Sequence, residues 1–110
     1  MPNKEDVIAI NKEFSNGKMV NESSLEFALS SAKKSKDWVT QLAYLIRSIV
    51  LDHVFEEGNK RTAVAVMLAY VKAHKKGYDI DKLDQIIIRI ITKNISDISQ
   101  IRRLIKDAIW

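Results

Sequence analysis

Breakers of regular backbone are almost absent from this chain. Its one proline is Pro2, and its only glycines are Gly17, Gly58 and Gly77. Long stretches therefore meet nothing that forces the backbone out of a regular conformation, and the elements must be long and few. The spacing of apolar residues decides their type. Trp38, Val39, Leu42, Leu45, Ile46, Ile49 and Val50 recur with a 3.6-residue period, the signature of one helical face rather than of a strand. Isoleucine is abundant and suits strands, but its spacing is helical as well. The chain is expected to be all-α, a compact bundle of about six helices.

The periodicity places them in order. A first helix is predicted over Lys4 to Phe14, with Val7, Ile8, Ile10 and Phe14 as its stripe, stopped by Ser15-Asn16-Gly17. Gly17 to Asn21 is an exposed, partly extended connection. Ser23 followed by Glu26 reads as a capping box for a helix holding Leu25, Phe27, Ala28 and Leu29. After the polar break Lys33 to Asp37, with Ser35 or Asp37 as N-cap, a helix runs from Trp38 to Asp52. The unbroken apolar run Ala63 to Val71 forms a helix buried on most sides and ending at Lys75-Lys76-Gly77, with Gly77 as the C′ glycine. Asp81 is expected to cap a helix carrying Leu83, Ile86, Ile87, Ile90 and Ile91. After a break at Asn94 to Asp97, a last helix puts Ile98, Ile101, Leu104, Ile105, Ala108 and Ile109 on one face.

Groups able to do chemistry are concentrated just ahead of the buried run: His53, Glu56, Glu57, Asn59, Lys60, Arg61 and Thr62. A loop that opens a buried helix offers free backbone N–H groups and the positive end of the helix dipole, and two cationic side chains add to them. That is the chemistry of an anion site. His53 either accepts a proton from an attacking hydroxyl or caps the preceding helix. Glu57 is a hard oxygen ligand suited to Mg²⁺ shared with phosphate, or a first-turn glutamate favoured by the dipole, while Glu56 faces solvent. Gly58 permits close approach of a phosphate and a positive φ. Asn59 bonds phosphate, locks the loop, or simply caps the helix. Lys60 and Arg61 offer a point charge and a planar fork to phosphate oxygens. Phe55 plugs the loop into the core, and Thr62 serves the helix's first turn.

Composition sets the outer limits. A chain of 110 residues is expected to form a single domain, 1–110, with room for a sizeable core. Eighteen basic against fourteen acidic residues give a formal charge of +4, which favours anionic ligands. The absence of cysteine excludes disulfides and thiolate metal sites. With no signal-like apolar segment or membrane-length run, the expected location is the cytoplasm.

The order His53-Val54-Phe55-Glu56-Glu57-Gly58-Asn59-Lys60-Arg61-Thr62 resembles the signature of the Fic/Doc superfamily, His-x-Phe-x-Asp/Glu-Gly-Asn-x-Arg. The Asn-Lys-Arg-Thr ending is most similar to the Doc (death-on-curing) branch. The resemblance implies a helical fold with the motif loop at the N-terminus of a central buried helix, ATP and Mg²⁺ as cofactors, and a protein as substrate. It implies His53 as the base and the acidic position at Glu57. By order along the chain it makes Ser15 to Ser24 the flap that docks the target. Many Fic members have Gly where this chain has Lys60, and a second Arg where it has Val64. Both departures turn the resemblance from AMP transfer towards transfer of the γ-phosphate of ATP to a protein hydroxyl, known in that branch for elongation factor Tu. Gly58, where the Doc toxin has Ala, is the Fic-like feature. No inhibitory Ser/Thr-x-x-x-Glu-Gly/Asn segment occurs, so an inhibitor is expected to be a separate antitoxin chain.

The alternative class is a non-catalytic helical module binding nucleic acid through Lys33, Lys34, Lys36, Lys72, Lys75, Lys76, Arg102 and Arg103. Those residues are dispersed and not interleaved with aromatics, and no nucleic-acid motif accompanies them.

Overall fold

The computed structural model describes residues 1–110 and contains six helices: α1 Lys4–Lys12, α2 Glu22–Lys33, α3 Trp38–Leu51, α4 Asn59–Ala73, α5 Ile80–Lys93 and α6 Ile98–Asp107. The only β-type pairings are two isolated bridges, Met19 with Phe55 and Tyr78 with Ile109. No helix is long and apolar enough to cross a membrane.

Short polar residues set where the helices start. Asn3 accepts from the Asp6 backbone N–H at 2.8 Å while the Asp6 carboxylate accepts from the Asn3 N–H at 3.0 Å, a reciprocal box that ties down the N-terminus of α1. Asp37, not Ser35, caps α3, accepting from the Val39 N–H, the Thr40 hydroxyl and the Arg102 guanidinium. Burial pushes the Asp37 carboxyl up, but the hydrogen bonds from Thr40 and Arg102 outweigh it and hold it below its ordinary value. That pairing joins α3 to α6 and withdraws Arg102 from any basic surface.

Three local expectations are corrected. The Ser23–Glu26 box does not form: α2 starts after Asn21, no side chain caps it, and Glu22 and Glu26 face Lys4 of α1 instead. Of the apolar residues on α2, Phe27 is 65% exposed. α5 is capped by Asp79, whose carboxylate accepts from the Asp81 N–H at 2.9 Å, so Asp81 is the capped residue and not the cap. At the end of α4 the left-handed residue is Lys75, φ 56°, not Gly77. Gly77 meets a different demand, a close approach: it exchanges two backbone hydrogen bonds with Trp110, and a Cβ there would lie 2.2 Å from the indole Nε1.

α3 lies against α2, α4, α5 and α6, and α4 against α1, α3 and α5. One cluster of 24 buried residues joins them all. α4 contributes Ala63, Val66, Met67, Tyr70 and Val71 to the buried interior and keeps Ala69 at the surface. At its C-terminal end, Trp38 of α3 lies nearly parallel to the His74 ring at 4.4 Å and to the Tyr70 ring at 6.2 Å. The Tyr70 hydroxyl is buried there without a hydrogen-bond partner, and burial raises its pKa to about 12. The N-terminal end of α4 opens on a cleft.

Candidate active site

The cleft is built by a loop whose two ends are fixed. α3 stops at Leu51, Asp52 closes its last turn, and His53 takes the left-handed conformation, φ 50°, that a C′ residue needs. Glycine usually stands at such a position, and histidine is among the few other residues enriched there. The chain then turns inward: Val54 and Phe55 are buried, and Phe55 is one of the largest fully buried side chains. Anchoring of this kind is worth about 3–5 kcal/mol for a phenylalanine. The expectation for Phe55 therefore holds.

Residues 18–21 lie along the loop. The Val20 and Asn21 N–H groups donate to the Val54 carbonyl at 2.8 and 3.1 Å, and the Glu56 N–H donates to the Lys18 carbonyl at 3.0 Å. The connection after α1 is thus partly extended and paired to the loop beside His53, and the Asn21 side chain reinforces it by donating to the Asp52 carbonyl.

Asn59, first residue of α4, reaches back four residues. Its Oδ1 accepts from the Phe55 N–H at 3.0 Å and its Nδ2 donates to the Phe55 carbonyl at 2.8 Å. Of the roles open to Asn59, its side chain fills the loop lock. Gly58 stands before the helix with φ 78° and ψ 16°, a left-handed conformation that glycine adopts without penalty. Thr62 is fully buried, and its hydroxyl donates to the Gly58 carbonyl at 2.7 Å, closing the first turn as expected.

With the loop held so, the N–H groups of Gly58, Asn59, Lys60 and Arg61 have no acceptor within the protein. They are the orphan donors of a helix start. They border an open cleft of about 530 Å³ lined by His53, Glu56, Glu57, Gly58, Asn59, Lys60 and Arg61, with Phe14, Val50 and Ile91 as apolar wall. Every candidate site residue from the sequence, His53, Glu57, Gly58, Asn59, Lys60 and Arg61, lies on this one cleft. Glu56 is exposed as expected, but it also lines the cleft, where the Lys18 Nζ sits 3.6 Å from its carboxylate.

The cation chemistry is limited by what the chain supplies. No cluster of three His, Cys, Asp or Glu side chains exists that could hold a metal. Glu57 offers one carboxylate beside the orphan N–H groups. That suits Mg²⁺ only where phosphate oxygens complete the shell, which is how this ion usually binds in nucleotide sites.

Sequence reading placed Phe14 in the stripe of α1, but the helix has ended by then and Phe14 is 39% exposed on the cleft wall. It also missed Asn11. This side chain is fully buried and donates to the Glu57 carbonyl at 2.9 Å and to the Thr62 hydroxyl at 3.0 Å, while accepting from the Gly17 N–H at 2.9 Å. The only available signal was a polar residue inside the apolar stripe of α1.

A family model described as Fic/DOC family matches residues 3–71, from α1 to the last turns of α4, and so includes the cleft loop and the strand-like connection paired with it. Among curated proteins, none matches the sequence.

Proposed function

Because the chain belongs to the Fic/DOC family, whose members generally transfer nucleotide or phosphate groups to proteins, we propose that it transfers the γ-phosphate of ATP to a hydroxyl of a target protein. The observation that carries the choice is the pair Lys60 and Val64. Lys60 lines the cleft with a long cationic side chain where glycine would leave room for a phosphate against the backbone. Val64, one turn on, offers a half-buried apolar surface where a second arginine would meet a further phosphate.

The orphan N–H groups from Gly58 to Arg61, with the Lys60 ammonium and Arg61 guanidinium, hold the phosphates and meet the charge that builds up during transfer. His53 accepts the proton of the attacking hydroxyl. It lines the cleft beside the extended connection where a target segment would lie. Glu57 would hold Mg²⁺ jointly with phosphate oxygens, and that ion would neutralise phosphate charge. The target class is a translation factor such as elongation factor Tu, the setting is the cytoplasm, and the inhibitor is a separate antitoxin chain. The target class and the separate antitoxin follow from resemblance to the Doc branch.

One feature favours a second reading. Gly58 is Fic-like, and a Fic-type AMP transferase would use the same base and cradle. ATP labelled at the α or the γ phosphate, incubated with the protein, Mg²⁺ and a cell extract, separates the two. Label arriving on protein from the γ position alone is the expected result. Label from the α position alone makes the chain an AMP transferase. No transfer from either, with no Mg²⁺-dependent ATP binding, leaves the binding-module class.

A further inference from the structure

We infer that Asn11 is a positioning residue: it fixes which way the Glu57–Gly58 peptide faces, so that the Gly58 N–H is presented to the anion in the cleft. The inference rests on the ATP-binding reading above for the identity of that anion, and on geometry for the rest. The peptide is trans, so its carbonyl and its N–H point in opposite directions. The carbonyl is taken by Asn11 Nδ2 at 2.9 Å on the protein side. The N–H of the same peptide must then point away from the interior, and it finds no acceptor in the protein.

The orientation of the Asn11 amide is itself determined. A carbonyl can only accept and a backbone N–H can only donate, so the nitrogen must face Glu57 and the oxygen must face Gly17. Both Nδ2 protons are used, the second on Thr62 Oγ1. The side chain is fully buried, where an unmade hydrogen bond is costly, so this arrangement is held firmly. Left to itself, the peptide before a glycine rotates readily, since Gly58 has access to both signs of φ. Asn11 removes that freedom.

The same side chain carries the signal outward. Its Oδ1 holds the Gly17 N–H, and residues 18–21 pair directly with the loop. The flap segment and the phosphate cradle are thus fastened to one buried amide, and a change in one is felt by the other through Asn11.

The test compares Asn11→Asp, which keeps the size but loses both donors, with Asn11→Ser, which brings no charge into the core. Ile105→Ala, a truncation in the buried face of α6, serves as the stability control. Two readouts are taken: the amide ¹H–¹⁵N resonance of Gly58 without nucleotide, and the dissociation constant for ATP with Mg²⁺. In whichever Asn11 variant is folded, the Gly58 resonance should move or broaden and ATP should bind at least tenfold more weakly. Ile105→Ala should lower the unfolding midpoint and leave both readouts as in the wild type. An unchanged Gly58 resonance, or wild-type ATP affinity, in a folded Asn11 variant overturns the inference. A rearranged Gly58 amide in a protein whose wild type takes up no ATP upholds the positioning role and overturns the ATP reading instead.

Discussion

At its N-terminal end α4 begins among hydrogen bonds that reach 46 and 51 residues back along the chain, from Asn11 to Glu57 and to Thr62. At its C-terminal end the same helix lies beneath a stack of rings, and the Tyr70 hydroxyl is buried with no partner at all. One end is fixed by directional bonds on named atoms. The other is fixed by apolar contact and tolerates an unmade bond. Packing alone is enough where only a helix must be held. Where individual backbone N–H groups must point at a ligand, contact area is too blunt, because it does not distinguish one face of a peptide from the other. The comparison predicts that changes to the exposed cleft side chains at the first end move activity with little effect on stability, and that changes at the second do the reverse.

The largest effect should come from His53. Replacing it with alanine is expected to lower the transfer rate by about 10²–10⁴-fold, the usual worth of a general base. Because His53 has φ 50°, His53→Asn is the better test of the fold: asparagine tolerates that conformation, so stability should stay within about 0.5 kcal/mol of wild type. Full activity in either variant would remove His53 from the mechanism.

Next comes Glu57→Ala, expected to weaken Mg²⁺-dependent ATP binding by about 10- to 150-fold, the loss of one charge-assisted ligand of about 1.5–3 kcal/mol. Glu56→Ala should do little, since its carboxylate is exposed and faces Lys18. Titrating Mg²⁺ against both variants decides it, and equal losses would mean that either carboxylate serves.

Lys60→Gly should reduce γ-phosphate transfer about tenfold, for one lost contact to a charged oxygen. Any AMP transfer it gains should stay small while Val64 remains. Transfer from α- and γ-labelled ATP reads both.

The smallest effect belongs to the far end. Tyr70→Phe removes an orphan hydroxyl and should leave activity alone while stabilising the fold by about 1 kcal/mol at neutral pH. Tyr70 in the folded protein is raised from 10.0 to about 12, so above pH 10 the unfolded chain releases its proton first. Stability is complete below pH 10 and is lost as pH rises towards 12, by about 1.4 kcal/mol per pH unit for one proton. Denaturant midpoints across that range should fall for the wild type, and the variant should lack this contribution. A loss of transfer activity in Tyr70→Phe would break the division between the two ends.

What the sequence disclosed follows the same division. Helices and motif were legible because both are patterns of near neighbours: a 3.6-residue period, few breakers, and six site residues within ten positions. Choices between adjacent candidates were not. Asp79 and Asp81 both suit a cap, and only the direction of one hydrogen bond separates them. Lys75 takes the left-handed turn that composition alone would give to Gly77. Phe27 is as apolar as its neighbours, and only its turn away from Leu25, Ala28 and Leu29 leaves it on the outer face of α2. Asn11 was illegible for a deeper reason. Its partners are remote in sequence, and a lone asparagine in an apolar stripe carries no mark of what it will meet.

That remoteness bears on how the protein is made. The motif is contiguous, yet the cradle is a non-local structure, closed by α1 across a loop of 46 residues. Ordering so long a loop has an entropic cost that its contacts must offset, and non-local pairing of this kind slows folding. A nascent or partly unfolded chain therefore carries the whole signature without the site. In refolding, the N-terminal end of α4 should acquire its final backbone only once α1 has docked against it.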